Sequence, residues 1–195
     1  WNAGLSVTTG VNNTLIGGLA GDALTDADNN VAVGRSALGS DTLGSRSTAV
    51  GRGALGAQNF TTATDSNNTA VGYTAGNSVT TGTNNSFLGA AAGLNVTTGI
   101  NNTLIGGLAG DALTDADQNT AVGFAALGVD TLGSKSTAIG RSALVSQNFT
   151  TATDSFNTAI GHSAGLSITT GVQNTLIGYQ ALTTDTLGSK STAVG

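Results

Sequence analysis

The chain has one histidine, His162, which follows the glycine that closes Thr158-Ala-Ile-Gly161. An imidazole beside a serine or carboxylate is the least that acid–base or nucleophilic chemistry needs. That tetrapeptide recurs along the chain, and the position of His162 is taken elsewhere by Gly18, Arg35, Arg52, Tyr73, Ala90, Gly107, Phe124, Arg141 and Tyr179. A catalytic group does not sit in a column that varies so freely, so the sequence predicts no catalytic residue and no enzyme. Arg, Tyr and Phe are favoured where proteins meet partners. Arg35, Arg52, Tyr73, Phe124, Arg141, His162 and Tyr179 therefore read in one of two ways: as an outward contact stripe for a cell-surface receptor or glycan, or as a solvated column that tolerates any side chain.

Carboxylates form the second set. Asp22, Asp26 and Asp28, with their copies Asp111, Asp115 and Asp117, bring together oxygens of the kind that hold Ca²⁺. The Asp-x-Asp spacing is short, and the Gly-rich nonapeptide of calcium-binding rolls is missing. Aspartate at such places is commonly turn chemistry, so these six stand as a weak calcium candidate beside an expectation of no metal and no cofactor. Threonine pairs at Thr8-Thr9, Thr80-Thr81, Thr97-Thr98 and Thr169-Thr170 raise an ice-binding hydroxyl array, but they occupy only some turns. Arg46, Lys135 and Lys190 share a Leu-Gly-Ser-[Arg/Lys]-Ser turn, near Asp41, Asp130 and Asp185, and offer charge pairing across a seam between chains.

The elements that position these residues come from the repeat, which has to be sought first in such a chain. The core [Thr/Val/Ser]-[Ala/Leu/Phe]-[Val/Ile/Leu]-Gly occurs eleven times, its glycine at 17, 34, 51, 72, 89, 106, 123, 140, 161, 178 and 195. Steps are 17 residues except for two of 21, and the whole pattern returns after 89. Before the core stands Asn in eight coils (Asn13, Asn30, Asn68, Asn85, Asn102, Asn119, Asn157, Asn174) and Ser in three. Three residues after each core glycine comes Ala, and the next column holds only Gly or Leu. Seventeen residues are too few for a helix pair and suit one coil of a β-solenoid with two short strands and two turns. Val, Ile and Thr favour extended backbone, and alternate strand residues face opposite ways. Stacked Asn predicts amide ladders. The four extra residues in the 21-residue coils, within Gln58–Ser66 and its copy, are expected to bulge outward.

Composition agrees. The 195 residues include 30 Gly, no Pro, no Cys and no Met, and only 9% are charged, against about 25% in ordinary globular domains. Proline has no place in a central ladder strand. Without Cys there is no disulfide frame and no thiolate metal site. A net charge of −5 opposes binding to nucleic-acid phosphates and to anionic membranes. No run has the length of a membrane span. The expected organisation is one continuous array over 1–195, built from an 89-residue unit at 13–101 and 102–190, as a fragment of a longer fibre. A 17-residue coil encloses little, and the strand carries apolar residues on both faces. One face fills the coil and the other needs a partner, for which a parallel homotrimer is the expected solution.

Asn30-Val-Ala-Val-Gly-Arg-Ser-Ala37 resembles the Asn-Ser-Val-Ala-Ile-Gly motif of trimeric autotransporter adhesin heads, and Asn68-Thr-Ala-Val-Gly-Tyr73 and Asn174-Thr-Leu-Ile-Gly-Tyr179 resemble the repeats of phage and phage-like tail fibres. The resemblance covers nearly the whole chain. It implies a left-handed parallel β-roll, three chains side by side, and a structural role outside the cell, at a cell surface or on a virion. The expectation is thus a stiff fibre segment that presents a multivalent surface for attachment. The alternative is a subunit of an extracellular filament that joins end to end, and behind it an ice- or calcium-binding solenoid.

Overall fold

The computed structural model describes residues 2–195 and contains no helix. It is a parallel β-solenoid of about eleven turns. Each turn contributes one three-residue strand: Thr14–Ile16, Val31–Val33, Thr48–Val50, Thr69–Val71, Ser86–Leu88, Thr103–Ile105, Thr120–Val122, Thr137–Ile139, Thr158–Ile160, Thr175–Ile177 and Thr192–Val194. These form one eleven-stranded parallel sheet in chain order. Register is held across the steps of 17 and of 21 alike: Ile16 opposes Val33, Val33 opposes Val50, and Val50 opposes Val71. At one strand spacing per turn, about 4.8 Å, the ladder is about 50 Å long.

The core glycines explain the repeat's most constant letter. Gly72 has φ +145° and Gly123 φ +135°, which L side chains avoid. A Cβ on Gly72 would lie 2.3 Å from the carbonyl oxygen of Gly89, and one on Gly123 would lie 2.5 Å from that of Gly140. Successive backbones touch at this column, so no side chain fits.

The expected second strand is not formed. The x-x-Ala-Leu stretch turns instead, because residues two and four past the core glycine are left-handed: Ser36 (φ 57°) and Leu38 (φ 52°) in one coil, Ala125 (φ 53°) and Leu127 (φ 54°) in another. Alternate left-handed residues cannot make an extended strand. The coils still bond here, as Ser36 N donates to Gly18 O at 3.0 Å and Leu38 N to Ala54 O at 3.0 Å.

Inside, the middle residue of each strand (Ala32, Phe87 and Leu104 among them) packs against the Ala column and is buried, except at the two ends, where Leu15 and Ala193 are half-buried. Two kinds of coil fill this thin interior. Where the fourth residue past the core glycine is Gly, the seventh is aliphatic: Gly21 with Leu24, Gly76 with Val79, Gly93 with Val96, Gly110 with Leu113, Gly165 with Ile168. Where the fourth is Leu, the seventh is Asp or Gln: Leu38 with Asp41, Leu55 with Gln58, Leu127 with Asp130, Leu144 with Gln147, Leu182 with Asp185. A Cβ on Gly110 would lie 2.9 Å from Leu113 Cδ1. Both Leu104 methyls are equally close there, and at Gly93 the nearest atoms are those of Phe87, so the glycine makes room for the strand's own large residue as well as for the seventh.

The long coils do not simply bulge. Thr61, Thr62 and Ala63 are exposed, but Gln58 and Phe60 are drawn inside. Thr64–Asp65 pairs in parallel with Gly44–Ser45, and Thr153–Asp154 with Gly133–Ser134, so each insertion adds a small sheet of its own.

Candidate functional site

The Asn column lies at the corner where each strand begins, and it is buried from Asn30 to Asn174. It does not form the expected amide ladder. Each Nδ2 donates to a backbone carbonyl fourteen residues on, as Asn30 to Gly44 at 3.0 Å and Asn119 to Gly133 at 2.9 Å. Each Oδ1 accepts the backbone N–H one coil further, as from Ser47 to Asn30 at 2.8 Å and from Ser136 to Asn119 at 2.9 Å. An amide–amide contact is found at Asn102 Nδ2 to Asn85 Oδ1, 3.1 Å. Backbone groups at a corner have no strand partner and must be satisfied. The amide reaches both of them, so the column staples backbone to side chain.

At Ser47 and Ser136, which open the long coils, the shorter side chain is backed by an inserted glutamine. Gln58 Nε2 donates to Ser47 Oγ at 2.8 Å and to Asp41 Oδ2 at 2.6 Å, and Gln58 Oε1 accepts from Asn68 Nδ2 at 2.9 Å. Asp41 Oδ1 accepts the backbone N–H groups of Gly44 and Phe60. Gln147, Ser136, Asp130 and Asn157 repeat this network. Among the described residues no buried side-chain polar atom lacks a partner. Asp41 and Asp130 are therefore structural and are not held for a seam. The surface cations pair elsewhere in the same chain: Arg46 with Asp65 at 2.9 Å and Lys135 with Asp154 at 2.5 Å. These partners are not announced by local sequence, although Gln58 and Gln147 recur at equivalent places.

The calcium candidates are tied into the coil stack. Asp26 Oδ1 accepts from Thr9 Oγ1 and Asp28 Oδ1 from the Val11 N–H; Asp115 and Asp117 do the same with Thr98 and the Ile100 N–H. Asp22 and Asp111 stand apart on the turn before them. Burial raises the Asp111 carboxyl above its ordinary value, opposed by a backbone hydrogen bond. Among the described residues no three acidic, His or Cys side chains are placed to hold a metal ion. The paired threonines are likewise engaged, with Thr8, Thr80, Thr97 and Thr169 donating to carbonyls of the next coil.

The variable column directly after the core glycine is an outward stripe. Tyr73, Phe124 and Tyr179 are at least half exposed, and Arg35, Arg52 and Arg141 are exposed. Successive coils bring these side chains into contact. Arg52 Nη1 donates to the Tyr73 hydroxyl at 2.9 Å, with its guanidinium 5.5 Å from the ring centre. In the second copy Arg141 lies 5.9 Å from the Phe124 ring centre and 3.4 Å from His162 Nε2, and His162 stacks on Tyr179 at 5.4 Å. Such cation–aromatic contacts are stabilising by about 0.5–1 kcal/mol at exposed sites. Ser163 Oγ lies 3.0 Å from His162 Nδ1. The remaining His nitrogen faces a guanidinium, where a serine–histidine relay would carry no cation.

A second surface lies beside the stripe. The strand faces opposite the buried Ala, Leu and Phe present Thr and Val or Ile outward. Ile16 is 58% exposed, Leu88 49% and Ile177 41%. No charged residue occupies either column of this face. Comparison with family models, curated proteins and solved structures finds no match for this chain. Among the described residues no helix is long and apolar enough to cross a membrane.

Proposed function

We propose that this chain is a structural repeat of an extracellular fibre, the shaft or head of a viral tail fibre or bacterial surface adhesin. Three parallel copies form a stiff rod whose outward stripe makes repeated, multivalent contacts with a host or other surface. Its work is mechanical and adhesive, without catalysis and without a cofactor. The observation that carries the reading is the uncharged Thr and Val/Ile face running the length of the ladder. Monomeric soluble proteins rarely leave so long an apolar strip in water, and identical strips close on one another about a symmetry axis. Resemblance of the Asn-x-Ala-Val-Gly core to adhesin heads and tail fibres points the same way.

Sedimentation equilibrium and native mass measurement test it. A trimer is expected, and Ile139→Lys with Ile160→Lys, both on the outward face, should convert it to monomer with the β signature of its far-ultraviolet circular dichroism retained. A monodisperse monomer at high concentration overturns the proposal. Open-ended polymers would instead favour a filament joined end to end through the edge strands.

A further inference from the structure

We infer that the groove beside Arg35 and Arg52 is a binding site for a carboxylate-bearing saccharide, lying along the axis of the rod. The inference rests on the reading of the chain as a rod that presents its stripe, and it names what that stripe takes.

Arg35 and Arg52 occupy the same column in neighbouring coils, about 4.8 Å apart along the axis. Neither makes an ion pair among the described residues; the ion pairs are those of Arg46 and Lys135. Like charges in adjacent coils favour an anion beside them, and the chain, at −5 net, keeps two arginines in this column. Between them runs an open groove of about 290 Å³, lined by Arg35, Ser36, Arg52, Gly53, Thr74 and Asn77. Gly53 has no side chain, and the Asn77 amide lies against it, its Nδ2 donating to the Gly53 carbonyl at 2.8 Å. Arg52 is held in place by its bond to the Tyr73 hydroxyl, so little side-chain freedom is lost when it binds.

The lining specifies the ligand class. Each guanidinium presents forked donors that match a carboxylate, and that of Arg52 leans on Tyr73 of the following coil. Ser36 and Thr74 add hydroxyl groups and Asn77 its amide oxygen, all suited to sugar hydroxyls. The volume is at the small end for ligand sites and holds one sugar residue. The coil pitch is close to the length of a pyranose unit, so a chain of such units can continue along the stripe. A denser polyanion such as nucleic acid is disfavoured by the acidic surroundings.

The molecule contains its own control. Eighty-nine residues further on the lining becomes Phe124, Ala125, Arg141, Ser142, Ser163 and Leu166. One arginine, one hydroxyl and the amide are gone, and a serine stands where Gly53 was. The site belongs to the first copy.

The test is calorimetric titration of the intact chain with trigalacturonate, with its methyl ester as the neutral probe and sulfate as the simple anion, in parallel with sedimentation of the same samples. One site per chain is expected for trigalacturonate, with at least tenfold weaker binding of the ester and of sulfate. Arg35→Phe, which installs the side chain that the second copy already carries, should weaken binding at least tenfold with an unchanged melting curve. Phe124→Arg, Ala125→Ser, Ser142→Gly and Leu166→Asn together should raise the stoichiometry to two. Equal binding of acid and ester, sulfate binding as tightly, or no response to Arg35→Phe overturns the inference. A trimer that fails to bind overturns the groove and leaves the rod standing; a monomer that binds supports the groove and overturns the trimer.

Discussion

The two copies of the 89-residue unit share a backbone and a set of staples, and differ mainly in what they show to solvent. Asn30 and Asn119 make the same pair of bonds, and Asp41 with Gln58 is reproduced by Asp130 with Gln147. Inside, Phe87 with Gly93 becomes Leu176 with Leu182, a redistribution of volume at one level. Outside, Arg35 becomes Phe124, Tyr73 becomes His162, and Ala90 becomes Tyr179. At the insertion, Arg46 and Asn67 become Lys135 and Phe156, and the lysine now lies 5.3 Å from the ring centre. Positions fixed by the stack cannot change, and positions that face outward carry whatever distinguishes one copy from the other.

The strongest way to break this comparison is at the glycine column, which should be equally intolerant in both copies. Gly123→Ala places a methyl 2.5 Å from the Gly140 carbonyl oxygen, and Gly34→Ala places one 2.6 Å from that of Gly51. Both residues also sit at φ above +130°. Each change should cost on the order of 4–5 kcal/mol, since a clash with backbone and left-handed strain act together. Urea denaturation of the two variants should give the same loss. A loss in one copy only would show that the copies are not held alike.

Interior volume gives the next effect. Gly110 and Leu127 share a φ of +54°, so exchanging them alters packing together with the strain of an L side chain in the left-handed region. Leu127→Gly leaves a cavity where the seventh residue is Asp130 and cannot refill it, at a cost of about 3 kcal/mol. Gly110→Leu drives a side chain into Leu104 and Leu113, at a cost of about 2 kcal/mol. Adding Leu113→Ala should recover part of the second loss, the contact with Leu104 remaining, as a double-mutant cycle by thermal or urea melting would measure. Failure of that rescue would sink the two-coil rule.

The Asn staples follow. Asn119→Ala strands the Gly133 carbonyl and the Ser136 N–H at a buried corner, and Asn30→Ala does the same to Gly44 and Ser47. Each should cost about 2 kcal/mol, with hydrogen exchange of the Ser136 or Ser47 amide rising locally. Because a solenoid is coupled only to its nearest neighbours, the two losses should add.

Much of this was legible in the letters. The period gave the coil and the register, and the glycine column gave the point of close backbone approach. The second strand was not legible, because Ala-Leu looks extended and nothing local announces that Ser36 and Leu38 are left-handed. The rule linking Gly or Leu at one column to an aliphatic or polar residue three places on was present in the sequence and needed only the two columns to be compared. Asp41 and Asp130 looked like surface charges because the glutamine that meets each of them comes 17 residues later, from the next coil. For the candidate site, the stripe could be read as a column, but the open groove between Arg35 and Arg52 required Gly53, Thr74 and Asn77 to be brought beside them by the turn geometry. The outward role of Val and Ile also came only from the fold, since both faces of the strand are apolar and the sequence alone does not say which is enclosed.

The smallest expected effect concerns charge at Asp111, in the turn of the second copy. Burial lifts its carboxyl above the usual value, so the folded chain holds that proton more tightly than the unfolded chain. The sign follows from linkage: between the unfolded pKa and the raised folded one, the folded state carries more protons, and stability falls as pH rises through that window. Above it the ionised carboxylate leaves a constant small penalty, reduced by its contact with solvent. Asp111→Asn should therefore remove the fall and raise the Tm at pH 7 by about 1 °C, with no gain at a pH below both values. A scanning-calorimetry series from pH 3 to pH 7 decides it: a Tm of the parent chain that rises with pH relative to the Asn variant would mean that the carboxylate is held in its charged form, and that the backbone hydrogen bond at this turn outweighs burial.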